Sequence, residues 1–186
     1  MRRDRLGTYD WLIEALETLG REGIGAVRVE RLARYLGVTK GSFYWHFKDR
    51  PELLDRLLEH WETEMTDKIH AHVSHLDGKP AEQLLALLKH IDKQDLNRYD
   101  AAVRAWALYD KRAATVVTRV DAKRLEYVHT LFLEMGFPAE EAHIRSRMSY
   151  YYVVGEYTAS ISSIEKGAPE QRVEHVRLRH RLLTER

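Results

Sequence analysis

Apolar positions recur every three or four residues along most of the chain, and this period predicts helices from end to end. Trp11, Leu12, Ala15, Leu16 and Leu19 share one face of a first helix over residues 8–21, which Gly23-Ile24-Gly25 ends. A short second helix over 29–36 gathers Leu32, Ala33 and Leu36. Gly37 suits the left-handed backbone of a tight corner, and Val38 is expected to plug the core beneath it. Thr39 reads as the N-cap of a third helix, with Ser42 three residues on. Asp49 and Glu52 form an acidic capping box for a fourth, whose first turn tolerates Pro51.

The fourth helix carries the strongest period. Leu54, Leu57, Leu58, Trp61, Met65, Ile69, His72, Val73 and Leu76 lead to a break at Asp77-Gly78. A fifth helix starts near Pro80, a sixth at Asn97 with Asp100, and a seventh at the cap Asp110, stopped by Gly136. An eighth begins at Pro138 and is expected to reach about Lys166; a ninth follows Gly167-Ala168-Pro169 and ends near Thr184. No alternating β pattern of useful length and no internal repeat is present. The fold class is all-α, with about nine helices.

Residues 29–47 break the economy of the pattern. Phe43 and Phe47, four apart, fit a core, but Lys40, Ser42, Tyr44, Trp45 and His46 crowd a short helix with little apolar surface to bury. A helix held by a helix–corner–helix fits the DNA major groove. Lys40 suits guanine O6/N7 or a phosphate, and Ser42 suits either. Thr39 offers a hydroxyl to a phosphate, and Gly41 allows close approach of the backbone. Tyr44 and His46 have the reach to set register on phosphates, and Lys48 and Arg50 add salt-sensitive contacts. Trp45 fits core or surface. Helix–corner–helix units are also common in bundles that never touch DNA, so these residues alone leave both readings open.

Composition narrows the class. The chain has 186 residues, 44% hydrophobic and 32% charged, as in an ordinary globular protein. The absence of cysteine excludes a disulfide framework or a thiolate metal site and fits a cytoplasmic location. The N-terminal Arg residues are interrupted by Asp4 and Asp10 with no apolar core behind them, so no secretory signal is expected, and no apolar run is long enough for a membrane span. The first 50 residues carry ten Lys and Arg against seven Asp and Glu, net +3, whereas the remainder is net −2. The positive excess lies with the helix–corner–helix, as contact with a polyanion requires.

The run LARYLGVTKGSFYWHFKDRPELL resembles the TetR-type (TetR/AcrR) repressor family, with dense agreement over roughly residues 8–60. Beyond it, the likeness is in helix number, order and length. The resemblance implies a DNA-binding helix-turn-helix domain over 1–49 and a helical ligand-binding and dimerisation domain over 50–186. It places Thr39, Lys40, Gly41, Ser42, Tyr44, Trp45 and His46 on the recognition helix, with Lys48 following. One departure stands out: Arg28 occupies a position where the family often has a capping Thr or Ser. Arg28 has no side-chain acceptor for a cap, but it retains a charge for phosphate. Arg2, Arg3 and Arg5 are candidates for an arm over the DNA.

A reading head of this size covers few base pairs, and pairing on a palindromic operator is the usual remedy. The resemblance implies a homodimer through the last two helices. Gly155, Ala159 and Ser162 are small enough for close approach there, and Val173, Val176, His180 and Leu183 form a stripe on the terminal helix. It also implies a pocket for an unidentified small-molecule inducer, with Trp61, Met65, Trp106, Tyr109, Tyr127, Met148, Tyr151 and Tyr152 as candidates to line it. Arg104 and Glu156 are possible anchors. Such residues at helical spacing equally serve as plain core.

Ten histidines raise the question of a metal, but His70 points away from His72 and His75 and no acidic residue completes a set, so no metal or other cofactor is expected. No phosphate loop, metal-spaced carboxylate pair or nucleophile motif points to an enzyme. Apart from the repressor reading, a ligand-independent architectural DNA binder and, behind it, a small all-α enzyme remain open.

Overall fold

A computed structural model of the chain describes residues 6–76, 78–94, 96–158 and 169–185. Among the described residues every regular element is helical. The helices are α1 (Thr8–Glu22), α2 (Val29–Tyr35), α3 (Lys40–Phe43), α4 (Arg50–Glu62), α5 (Lys68–Ser74), α6 (Pro80–Gln94), α7 (Asn97–Ala107), α8 (Lys111–Glu134), α9 (Ala139–Thr158) and α10 (Pro169–Thr184). The fourth helix of the sequence reading is interrupted: α4 and α5 are joined by a wider, π-helical stretch, Thr63–Asp67. With α4 and α5 counted as one interrupted helix, the described helices number nine. The third helix closes after four residues, and turns carry the chain on to Phe47.

The chain forms two compact units. The first contains residues up to 64 together with 98–117, and the second contains 65–97 with 118 onward. The first unit thus groups α4 and α7 with the three N-terminal helices.

In the first unit, α1 buries Trp11, Leu12, Ala15, Leu16 and Leu19. Gly23, at φ 79°, ends it by returning its N–H to the Leu19 carbonyl, a backbone turn that side chains with a Cβ resist. Leu32 and Ala33 of α2 and Leu53, Leu54, Leu57 and Leu58 of α4 complete the core, while Leu36 and Val38 are only half-buried. Two polar bonds hold α7 to this unit. The Trp61 indole N–H donates to Asp100 Oδ1 at 3.1 Å, buried, and the Tyr99 hydroxyl donates to the Glu17 carboxylate. A Cβ on Gly20 would lie 2.9 Å from the Tyr99 ring, so α1 has room for that ring only where it lacks a side chain.

In the second unit, one core joins α5, α6, α8, α9 and α10. Ile69, Val73, Leu84, Leu88, Leu131, Phe132, Phe137, Ala142, Val176 and Leu183 all belong to it. Phe132 and Phe137 meet edge-to-face across the corner that Gly136 forms at φ 83°. The Arg145 guanidinium lies over the Phe137 ring at 4.2 Å and donates to the Leu183 carbonyl at 2.5 Å, fastening the end of α10 to α9.

Candidate nucleic-acid interface

Sequence and packing together explain why α3 stands where it does. Gly37, at φ 67°, turns the chain after α2, and the Val38 N–H donates to the Ala33 carbonyl at 2.9 Å. Phe43 and Phe47, both essentially fully buried, stack on each other at 5.2 Å, and Trp11 meets Phe43 edge-on at 5.4 Å. The far end is clamped by the next helix: Asp49 accepts from the Glu52 N–H at 2.9 Å, and the Glu52 carboxylate accepts from the Lys48 N–H at 2.7 Å. The capping box thus exists, with its return bond one residue earlier than expected.

On this anchored base the other side chains point outward. Trp45 is 88% exposed and Tyr44 56%, and Thr39, Lys40, Gly41 and Lys48 are exposed while Ser42 is half-buried. This resolves Trp45, which fitted core or surface: it is surface. Thr39 occupies the N-cap position, but its side chain makes no cap bond. A Cβ on Gly41 would meet only the Thr39 hydroxyl oxygen at an ordinary 3.6 Å, so nothing inside the fold requires glycine there.

Three candidate contacts are otherwise engaged. Arg50 Nε donates to the Val27 carbonyl at 2.7 Å and its Nη2 to Ile24 at 3.2 Å, so this side chain ties α4 to the loop before α2. Arg28 lacks the cap, as its chemistry demands, and its Nε donates to the Gly25 carbonyl at 2.8 Å. His46 is half-buried with Nδ1 at 3.3 Å from the Thr8 hydroxyl, which turns it toward α1. Arg2, Arg3 and Arg5 lie outside the described residues.

Glu30 carries no signal in the sequence that marks it as part of this surface. Its carboxylate oxygen lies 2.5 Å from Lys40 Nζ, both side chains being more than half exposed. The hydrogen bond with Lys40 lowers the Glu30 pKa, and the same bond raises that of Lys40. No spacing rule reveals a pair formed across the corner by residues ten apart in sequence. A shallow cleft beside it is lined by Glu22, Arg28, Glu30, Arg31, Arg34 and Tyr35, but much of its polarity is internally satisfied. Arg31 pairs with Glu22, and the Tyr35 hydroxyl donates to the same carboxylate at 3.1 Å.

The residues proposed for a ligand do not share one environment. Trp61 and Trp106 are core, with indole N–H groups donating to Asp100 at 3.1 Å and Asp110 at 3.2 Å. Tyr109 is 92% exposed on a turn. Met65 and Tyr127 are half-buried, the Tyr127 ring stacking on His70 at 4.2 Å. Met148, Tyr151 and Tyr152 are exposed on α9. Trp61 and Trp106 are buried and Tyr109, Met148, Tyr151 and Tyr152 are exposed, which leaves Met65 and Tyr127 in the half-open setting of a pocket wall. Of the possible anchors, Arg104 pairs with Asp100 and Glu156 with Arg179.

The terminal stripe divides between the core and the surface. Val176 and Leu183 are buried in their own unit's core, and His180 Nε2 lies 2.7 Å from the Ala81 carbonyl of α6. An amphipathic helix satisfies its own core first, and here that consumes the stripe. Val173 remains outside, 42% exposed, with Leu178 and Leu182. On α9, a Cβ on Gly155 would meet nothing within 4 Å. Ala159 and Ser162 lie outside the described residues. Among the described residues no group of three His, Asp or Glu could hold a metal, and no helix is long and apolar enough to cross a membrane.

Known proteins place this arrangement. The family model described as bacterial regulatory proteins, tetR family, matches residues 12–57. The chain is 29% identical over 77 residues to the HTH-type transcriptional regulator AcrR of Shigella flexneri, covering 41% of this chain and 36% of that one. The match therefore spans little more than a third of that relative's length. To the class C tetracycline repressor protein of Escherichia coli it is 29% identical over 160 residues, 84% of this chain and 68% of the other. In fold it is similar to a transcriptional regulator of Rhodococcus sp. Rha1, with TM-score 0.75, 18% identity and 96% of each chain covered. It is also similar to FadR of Bacillus subtilis, solved in complex with stearoyl-CoA, with TM-score 0.68, 16% identity and coverage of 95% and 97%. The helix-turn-helix built on Phe43 and Phe47 thus resembles that of the tetR family of bacterial regulatory proteins, and the helices that follow it share the fold of these regulators.

Proposed function

We propose that this regulator is a homodimeric, sequence-specific DNA-binding repressor that a small molecule releases from a palindromic operator. The observation that carries the DNA reading is the exposure of Tyr44 and Trp45 beside Thr39, Lys40, Gly41 and Lys48, on a turn whose Phe43 and Phe47 are wholly buried. Large aromatic side chains left in water on an anchored element are what a partner surface provides for. Lys40 and Ser42 face the bases, Tyr44 and Lys48 the phosphates, and Gly41 admits the backbone. Arg28, His46 and Arg50 serve chiefly to hold the head together.

Dimerisation is supported by the outward faces of α9 and α10, where Ile144, Met148, Tyr151, Tyr152, Leu178 and Leu182 are all exposed. Such a stripe in an isolated chain is the kind of surface an isologous interface covers. For the inducer, the half-buried Met65 and Tyr127 are the best-placed candidates. Long-chain acyl-CoA is a reasonable first probe, given the ligand of the FadR structure.

Footprinting on DNA flanking the protein's own gene tests the reading. A protected palindrome, with a large preference over random duplex at physiological salt, supports it and excludes a non-specific architectural binder. If Tyr44→Ala with Lys48→Ala leaves affinity and its salt slope unchanged, the contacts are wrongly assigned. An inducer raises the apparent melting temperature in proportion to its occupancy, so a thermal-shift screen identifies it.

A further inference from the structure

The pair between α2 and α3 is costly for a surface that meets a polyanion. Glu30 is exposed beside the reading helix, where its charge repels phosphate, and it engages Lys40, a cation that would otherwise serve phosphate. A fold needing only affinity gains from neither arrangement. Stability does not require it either, since exposed ion pairs contribute little. We propose that Glu30 and Lys40 act as one reading unit for a G·C base pair, Lys40 donating to guanine and Glu30 accepting from the cytosine N4 amino group. The inference rests on the DNA-binding reading above.

The chemistry of the base edge selects this pair over the others. Within one base pair the major-groove acceptor and amino donor lie side by side, a hydrogen bond apart. A donor and acceptor 2.5 Å apart on the protein match that arrangement. Guanine offers Lys40 two acceptors, O6 and N7, whereas thymine offers only O4 flanked by a methyl group. On its own base the cytosine N4 amino group adjoins only C5–H, whereas the adenine N6 group adjoins N7, whose lone pair repels a carboxylate. Each half of the unit therefore prefers the same G·C pair. Neighbouring side chains leave it free to act, because Arg28 is bonded to Gly25 and Arg31 to Glu22 and Tyr35.

The test is selection from a randomised duplex pool, followed by binding of single-base-pair variants of the enriched sequence. Wild-type protein is expected to require one G·C pair in each half-site. Glu30→Ala should relax that position alone, shrinking its penalty for the wrong base by roughly 5- to 150-fold. It should also steepen the salt dependence by about one phosphate contact as Lys40 is released. Glu30→Gln should shift the same position toward A·T, because a carboxamide pairs with adenine N6 and N7. Lys40→Met should relax the same base pair, with no further loss when both changes are combined. The proposal fails if Glu30→Ala leaves every base preference intact or weakens all sequences equally, and also if the two variants relax different base pairs. No enrichment by the wild type overturns the DNA reading itself, an outcome distinct from an unaltered motif. Because Glu30 is exposed, its variants are expected to keep the wild-type melting temperature.

Discussion

Two helices of this protein carry apolar side chains in ways that look alike in sequence and differ in space. The turn through α3 packs four aromatic residues and a histidine into five positions, and it buries only Phe43 and Phe47 while Tyr44 and Trp45 stay in solvent. The terminal helix α10 carries Val173, Val176, His180 and Leu183 at helical spacing, and it turns most of that stripe into its own core. The first element is anchored so that it can display; the second displays only what its core does not use. An apolar stripe therefore reports first on the chain's own interior, and a partner surface is the apolar area left over.

The largest effect expected from breaking this comparison is in the anchor. Phe43→Ala should cost about 3–5 kcal/mol by urea unfolding, because it removes a buried ring from a stacked pair. Trp45→Ala, two residues on, should change stability by less than about 0.5 kcal/mol and yet weaken operator binding. Equal stability losses for the two would erase the distinction between anchor and display.

Next is α10. Leu183→Ala should destabilise the second unit by about 2–4 kcal/mol, as a buried leucine does. Leu182→Glu, at a side chain 69% exposed, should instead shift sedimentation from dimer toward monomer. If Leu182→Glu leaves the sedimentation coefficient unchanged, the leftover face of α10 is not an interface.

A smaller effect concerns the exposed cation. Lys48→Ala should weaken operator and random duplex by a similar factor and lower the salt slope by about one, as read from binding isotherms at several salt concentrations. Arg50→Ala should lower the melting temperature first, because its guanidinium holds the Val27 and Ile24 carbonyls. The contrast separates a contact with the partner from a tie within the fold.

The smallest effect is a pH dependence in the second unit. Burial, and next the nearby charge of Arg124, push the His70 pKa down to about 4 from 6.5. Since the folded value is depressed, the unfolded chain binds the extra proton first as pH falls. Stability is then full above about pH 6.5 and declines toward pH 4. With partial exposure discounted, the loss should be about 1–2 kcal/mol. His70→Gln should flatten that segment of a stability–pH curve, and an unchanged slope would assign the decline to other groups.

How much was legible varies with the distance over which each feature is decided. The start of α4 could be read from Asp49, Pro51 and Glu52, because a cap is made within four residues. The corner at Gly37 and the burial of Phe43 and Phe47 followed from local geometry and spacing. The interruption at Thr63–Asp67 could not be read, because the apolar period continues across it. That Asp100 takes the indole N–H of Trp61 is decided over a distance that periodicity does not reach, and Asp110 takes that of Trp106.

The sequence by itself determined the all-α class, the order of the helices and the tight corner, since these depend on short-range periodicity and local turn chemistry. Only the tertiary structure decided which polar groups remain available to a partner. Arg50 reaches carbonyls 23 and 26 residues away, and His46 meets a hydroxyl 38 residues away. A donor's availability depends on which acceptors folding brings beside it, and the spacing of residues along the chain does not encode that.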